Sequence, residues 1–268
     1  MKSIRIILKE QIQNIYMIGR LSAYELKKSY AGNVLGSFWL ILNPLFQIGI
    51  YWLVFGLGVR GGRSVDGIPF FVWLIGGLVP WFFISASILQ GSNSVYARLN
   101  SVAKMNFPLS VIPTYVIVAQ VYTHLILVGM LLIIVSISQG LHNINIISLV
   151  YFMLSAFCFL LSLSYITSTL STMARDIHLL VQTATRMLFY ITPILWLPSE
   201  NTPSILKEVF SINPFYYLVE GYRESLLKGG WDLIFSPYTI VFWIIILMLL
   251  MFGSVIHVKF RKQFVDYL

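Results

Sequence analysis

The chain has 268 residues, of which 58% are hydrophobic and 10% charged. A soluble domain carries roughly 25% charged residues, so a chain this poor in charge cannot coat its own surface with polar groups. Composition excludes a soluble globular protein and indicates an integral membrane protein. The formal net charge of +8 would suit nucleic acid, but in a membrane protein it reports topology first.

The N-terminal MKSIRIILKEQIQN interrupts its apolar residues with charges too early to form a cleavable signal. Ile4, Ile7, Leu8, Ile12, Ile15 and Ile18 recur at helical spacing, with Lys2, Arg5, Lys9, Glu10 and Gln13 on the other side. Residues 1–33 therefore read as an amphipathic helix lying in the inner interface, as an anchor or with a part in gating.

A helix needs about 20 apolar residues to cross a bilayer. Six stretches qualify, near residues 34–59, 68–90, 109–137, 146–170, 177–197 and 237–258. The fifth is the weakest, since it holds His178, Gln182 and Arg186. The runs are continuous rather than alternating, which argues against outer-membrane strands. The expected fold is all-α, with six transmembrane helices making one domain over residues 34–268. The lone cysteine, Cys158, lies inside an apolar run; no internal disulfide is possible, and it reads as a small buried side chain.

With both termini inside, the inner segments hold 13 of the 18 Lys and Arg residues and four acids, a balance of +9. The outer segments hold five basic and six acidic residues, a balance of −1. The positive-inside rule selects this orientation, and topology alone accounts for the basic composition.

Two inner loops could receive a partner. Residues 91–108 contain Arg98, Lys104, Met105, Asn106 and Phe107, then Pro108, which turns the chain before the third span. A short helix upstream would present Tyr96, Leu99 and Val102 to a cytoplasmic groove. The loop 172–178 carries Arg175 and Asp176. Alternatively, Arg98, Lys104 and Arg175 only fix topology.

On the outer side, residues 198–236 include NPFYYLVEGYRESLLKGG. Asn213 and Pro214 read as N-cap and first helical residue, and Gly229-Gly230 as the stop. Phe215, Val219, Tyr222 and Leu226 share one face, and Arg223 lies within reach of Glu220. A helix from Pro214 to Lys228 is about 22 Å long, too short for a hydrocarbon core of about 30 Å. With a shorter helix over 204–212 it would form a re-entrant hairpin capping the outer end of a passage, or an amphipathic hairpin resting on the surface.

Arg186 is a charge inside a span, which marks a functional position by default. An arginine fork suits phosphate oxygens, so Arg186 could receive a phosphate of a substrate, with Arg20, Lys27 or Lys28 at the inner surface. The alternatives are snorkelling or an internal pair with Glu220 or Asp176. The aromatics, 15% of the chain, read mainly as interface belt and helix packing, with some available as faces for sugar rings.

No G-x-x-x-x-G-K-[ST] loop, metal-ligand cluster or serine with a convincing base occurs in the sequence. No catalysis is expected in this polypeptide, so pumping would need energy from a partner.

Asn213, Pro214, Phe215, Tyr217, Glu220 and Arg223, in the pattern N-P-F-x-Y-x-x-E-x-x-R, resemble the outer re-entrant motif of ABC-2 type export permeases. YAGNVLGSFWLILNPL (Tyr30–Leu45) resembles the start of their first span, and SVAKMNFPLSVIPTY (Ser101–Tyr115) their inner loop. Within that family YWLVFGLGVRGG, KMNFPLSVIPTYVIV, LFYITPILWLP and KFRKQFVDYL resemble the wall teichoic acid exporter permeases of Gram-positive bacteria. O-antigen and capsule permeases share the first motifs.

The resemblance implies a plasma-membrane homodimer joined by two copies of an ATP-binding cassette ATPase, which would hold the ATP and Mg. This chain itself would hold no cofactor and no metal. The loop around Arg98 to Phe107 would be the coupling helix, with Arg175 and Asp176 a lesser contact. Asn213, Pro214, Tyr217, Glu220 and Arg223 would form the outer gate. The implied substrate is undecaprenyl-diphosphate-linked wall teichoic acid, with O-antigen or capsular polysaccharide as the alternative. An ATP-independent channel and a membrane enzyme are the rivals from other classes.

Overall fold

The computed structural model describes residues 2–102, 107–197, 203–261 and 263–264, without the side chains of Ser204, Leu206 and Lys207. Lys104, Met105 and Asn106 lie outside the described residues. The described chain is helical throughout: α1 (Lys2–Gln13), α2 (Ile15–Tyr30), α3 (Trp39–Tyr51), α4 (Phe70–Ser92), α5 (Tyr96–Val102), α6 (Val111–Gln139), α7 (Ile146–Met173), α8 (Asp176–Ile191), α9 (Ser204–Ile212), α10 (Pro214–Arg223) and α11 (Pro237–Phe260). α3 is extended by a 3-10 turn before it and a π-helical segment, Trp52–Val59, after it.

Five helices among the described residues are long and apolar enough to cross a membrane: Gly36–Val59, α4, α6, α7 and α11. They coincide with the first four and the last of the expected spans. The expected fifth span differs. Its helix α8 has 16 residues, about 24 Å at 1.5 Å per residue. It stops where Thr192 turns extended (φ −74°, ψ 132°), the conformation that a following proline, here Pro193, imposes.

The N-terminal segment also differs from expectation. It is two helices parted at Asn14, whose amide donates to the Glu10 carbonyl at 2.8 Å. The anticipated single apolar stripe is divided. Ile7 and Ile18 are buried, whereas Leu8, Ile12 and Ile15 are exposed. Glu10 accepts from Arg261 at 2.7 Å and from the Ser110 hydroxyl, and Gln11 donates to Tyr165 at 3.1 Å. The segment thus ties the start of α6 to the end of α11.

α4 is the central helix, packed against α6, α7, α8 and α10. Of its apolar window 78% is buried, against 17% for Gly36–Val59, which forms an open flank. A helix enclosed on all sides is apolar all round, and α4 places Leu74, Leu78 and Ile84 fully inside. α11 lies close on α7 because Gly253 has no side chain: a Cβ there would sit 3.1 Å from Tyr165 and Ile166, the small-residue contact typical of membrane helices. Some buried hydroxyls on α7 return to its own backbone, as in Thr169 to the Tyr165 carbonyl (2.8 Å) and Thr172 to the Ser168 carbonyl (2.7 Å), whereas those of Ser155, Ser168 and Ser171 have no hydrogen-bond partner among the described residues.

Ring contacts fix the levels of the short helices. α8 starts level with the end of α4, where His178 meets Ser92 at 2.8 Å. It ends midway along α4, where Phe189 meets Trp81 at 5.6 Å between centroids. Phe215, in the first turn of α10, touches Trp81 and also Phe159 midway along α7. The π-helical turn that continues α10, Glu224–Lys228, reaches the start of α7, where the Ser225 and Ser148 hydroxyls are 2.7 Å apart. The α9–α10 turn therefore lies at half the depth of the long helices.

Candidate functional site

Breaking a helix midway along a bundle leaves carbonyls without intrahelical donors. Here Arg223 supplies them. Its Nη1 donates to the Pro193 carbonyl at 2.9 Å and its Nη2 to the Ile194 carbonyl at 2.7 Å. The Trp73 ring lies 3.6 Å from the guanidinium carbon, a cation–π contact strengthened by burial. Arg223 is 2% exposed. Its Glu220 partner is 3.4 Å away and closer to solvent, and Glu220 also meets Lys228 at 3.9 Å. Gly77 makes room for the group, since a Cβ there would press on the guanidinium, 3.0 Å from Cζ. Trp196 caps the other side of the break, its indole donating to the Tyr190 carbonyl at 3.0 Å.

The rest of the N-P-F-x-Y-x-x-E-x-x-R motif fastens the same hairpin. The Asn213 side chain accepts from the Phe215 amide at 2.9 Å, the expected N-cap, and Pro214 occupies the first turn. Tyr217 bridges two helices through Tyr151 on α7 (3.2 Å) and Thr239 on α11 (2.8 Å). The helix continues as a π-turn, Glu224–Lys228, and stops at Gly229 (φ 62°), as the sequence predicts. The shared face of Phe215, Val219, Tyr222 and Leu226 is buried.

Below the break, α8 and α4 enclose a cavity of about 400 Å³, lined by Tyr51, Trp81, Ser85, Gln182, Arg186 and Phe189, among others. Arg186 is exposed and has no ion pair among the described residues. The internal pairs considered for it, with Glu220 or Asp176, are not formed. A second cavity of about 320 Å³ continues toward α5 and is lined by Asn93, Arg98, His178 and Gln182, among others. The two share Leu89 and Gln182. Arg20, Lys27 and Lys28 are exposed on α2, away from Arg186's cavity lining.

The short helix expected before Phe107 is α5, but its orientation corrects the expectation. Leu99 is fully buried against Val111, Ile112, Val116 and Phe264 rather than facing a groove. Arg98 is engaged inside the chain, paired with Glu25 and 5.6 Å from the Tyr115 ring centroid. Arg175 stacks over Tyr96 of α5 at 4.3 Å, so the two inner loops touch. Asp176 is exposed in the first turn of α8.

Sequence reasoning missed Trp73, Pro193 and the pair formed by Tyr222 and His124 (2.7 Å). Pro193 was the available signal, as a proline deep in a proposed span that must strand carbonyls. Among the described residues no group of His, Cys, Asp and Glu could hold a metal ion.

The profile of the ABC-2 type transporter family matches residues 17–227, most of the chain and all of this site except the end of the hairpin. An O-antigen export system permease protein of Myxococcus xanthus is 27% identical over 200 residues, covering 74% of this chain and 75% of its own. One from Klebsiella pneumoniae is 27% identical over 250 residues, covering 91% and 92%. The chain belongs to the ABC-2 type transporter family, as a multi-pass, non-catalytic permease component.

Proposed function

We propose that this chain is the membrane subunit of an ATP-driven exporter of lipid-linked polysaccharide, of the O-antigen or capsular kind. The similarity to O-antigen export permeases over nine-tenths of the chain carries the choice of substrate. The polar, partly cationic cavities beneath the break in α8 support a passage there. In this reading α8 and residues 192–197 together make the fifth of six crossings. Both termini face the cytoplasm of a plasma-membrane homodimer, and residues 1–33 lie along the inner interface. The α9–α10 hairpin enters from the outside as the exit gate, with Asn213, Pro214, Tyr217, Glu220 and Arg223 fixing its closed position.

Two copies of a separate ATP-binding cassette subunit dock at the inner end, where Arg98, Phe107, Arg175 and Asp176 are assigned, together with Lys104, Met105 and Asn106. Motion of α5 passes to α8 through the Arg175–Tyr96 stack and from α8 to the hairpin through Arg223. Arg186 meets the substrate's diphosphate after Arg20, Lys27 and Lys28 attract it at the inner surface.

Wall teichoic acid is the second reading, favoured by the segments KMNFPLSVIPTYVIV and KFRKQFVDYL. Depleting the protein in its host separates the two. Loss of surface polysaccharide with lipid-linked glycan retained inside is the expected result. A fall in wall phosphate instead would transfer the substrate to teichoic acid, and no change in either polymer would overturn export of both.

A further inference from the structure

A third cavity, of about 310 Å³, lies between α3, α4 and α6. This is near the lower limit for small-molecule sites. It shares Ser85 with the Arg186 cavity and Gln90 with the Arg98 cavity, but its chemistry differs. Asn43, Gln47, Gln90, Gln120, Thr123 and His124 line it, and no Asp, Glu, Lys or Arg does. Asn43 and Gln47 are four residues apart on one face of α3. The Gln120 amide donates to Gln90 at 2.9 Å across the gap between α6 and α4. Amides set among apolar helices are costly unless they meet polar partners.

The wall contains a second sign of a missing partner. His124 is 2% exposed, stacked on Phe83 at 4.6 Å. One ring nitrogen, Nε2, is bonded to Tyr222 Oη at 2.7 Å. The other, Nδ1, is buried with no hydrogen-bond partner. Buried polar atoms of this kind ordinarily have one.

We infer that this cavity is a binding site for an uncharged, hydroxyl-rich ligand, a sugar ring of the glycan, rather than for phosphate. Each amide presents both a donor and an acceptor, which matches a hydroxyl that is also both. A phosphate only accepts, and cations would match it better; those lie in the neighbouring cavities at Arg186 and Arg98. Trp39 and Phe82 add ring faces against which the apolar side of a sugar can rest. The site rests on the export reading above and divides the substrate between cavities, with sugar here and charged headgroup at Arg186.

The test uses the purified chain in nanodiscs with Cys158→Ser and one cysteine introduced, Asn43→Cys or Gln47→Cys. The probes are a neutral tetrasaccharide of N-acetylglucosamine and a glycerol-phosphate oligomer of equal length. Once its concentration exceeds Kd several-fold, the tetrasaccharide is expected to slow maleimide labelling at both positions by roughly threefold or more. Labelling of Leu53→Cys, exposed further along the same flank, should not change. Adding Thr123→Val should weaken the protection while leaving unprotected labelling as it was. Absence of protection, or equal protection by glycerol phosphate, overturns the site. Depletion in the host reads the export function separately. Retained lipid-linked glycan without protection defeats this site alone, and protection without retained glycan defeats the export reading alone.

Discussion

Replacing Arg223 by Met tests the central inference that one side chain holds the break in α8. The substitution keeps most of the apolar stem and removes both bonds to the Pro193 and Ile194 carbonyls, 2.9 and 2.7 Å long. Each buried acceptor left without a donor costs about 1–3 kcal/mol. Losing the contact with Trp73 adds about 0.5–2 kcal/mol. Removing the Glu220 partner adds little, because that pair is 3.4 Å long and Glu220 is partly solvated. The expected loss is about 3–5 kcal/mol, which for a chain of this size lowers the thermal midpoint by on the order of 10 °C. If these bonds behaved like an average interhelical bond in a membrane, at about 0.6 kcal/mol each, the loss would be only about 1 kcal/mol. The larger value is expected because a chain interrupted at a proline has no helical donors nearby to take over. Arg223→Lys keeps the charge without the two-pronged geometry and should lie about midway. The assay is thermal unfolding of the detergent-purified chain, followed by tryptophan fluorescence. A midpoint for Arg223→Met within a degree or two of the parent would refute the reasoning, as would Arg223→Lys matching the parent.

Other substitutions probe the same framework. Gly221→Ala would drive a Cβ into the Phe152 ring; overpacking of about 1–3 kcal/mol is expected in thermal unfolding, and a neutral result would show that α10 can shift on α7. Arg98→Gln and Glu25→Gln should each destabilise by about 1–2 kcal/mol, between exposed and buried ion pairs, since both side chains are mostly covered. The double variant should lose no more than the worse single one, and additive losses would mean that the pair is not the source. Arg186→Gln should change unfolding stability by no more than about 0.5 kcal/mol, as the side chain is exposed and makes no ion pair among the described residues. In the assembled complex it should reduce ATP hydrolysis stimulated by lipid-linked substrate, and undiminished stimulation would take Arg186 off the substrate path.

Hydropathy made the five long helices legible because crossing an apolar layer leaves one solution, a continuous apolar helix that satisfies its own backbone. The α10 helix was legible for a local reason. Asn213, Pro214 and Gly229 encode its two ends in residues that need no tertiary partner to be read, and the expected N-cap bond is present at 2.9 Å. What escaped depended on partners distant in sequence. Leu99 carries the same helical spacing whether it faces a partner protein or its own core, and only the arrival of Phe264 and Val116 decides for the core. The Arg98–Glu25 pair spans 73 positions, beyond any periodicity. Arg223 was read through Glu220, three residues away, because short-range pairing is what a helix pattern shows. Its stronger partners are two backbone carbonyls 29 and 30 positions back, and carbonyls have no letter in a sequence. Only the proline that ends the helix ahead of them does. A proline inside a proposed span, followed 30 residues later by an arginine at the end of a short capped helix, is the physical pairing that would have made this site legible in advance. The proline ends the helix, the carbonyls beyond it then lack helical donors, and the buried cation has few other reasons to be there.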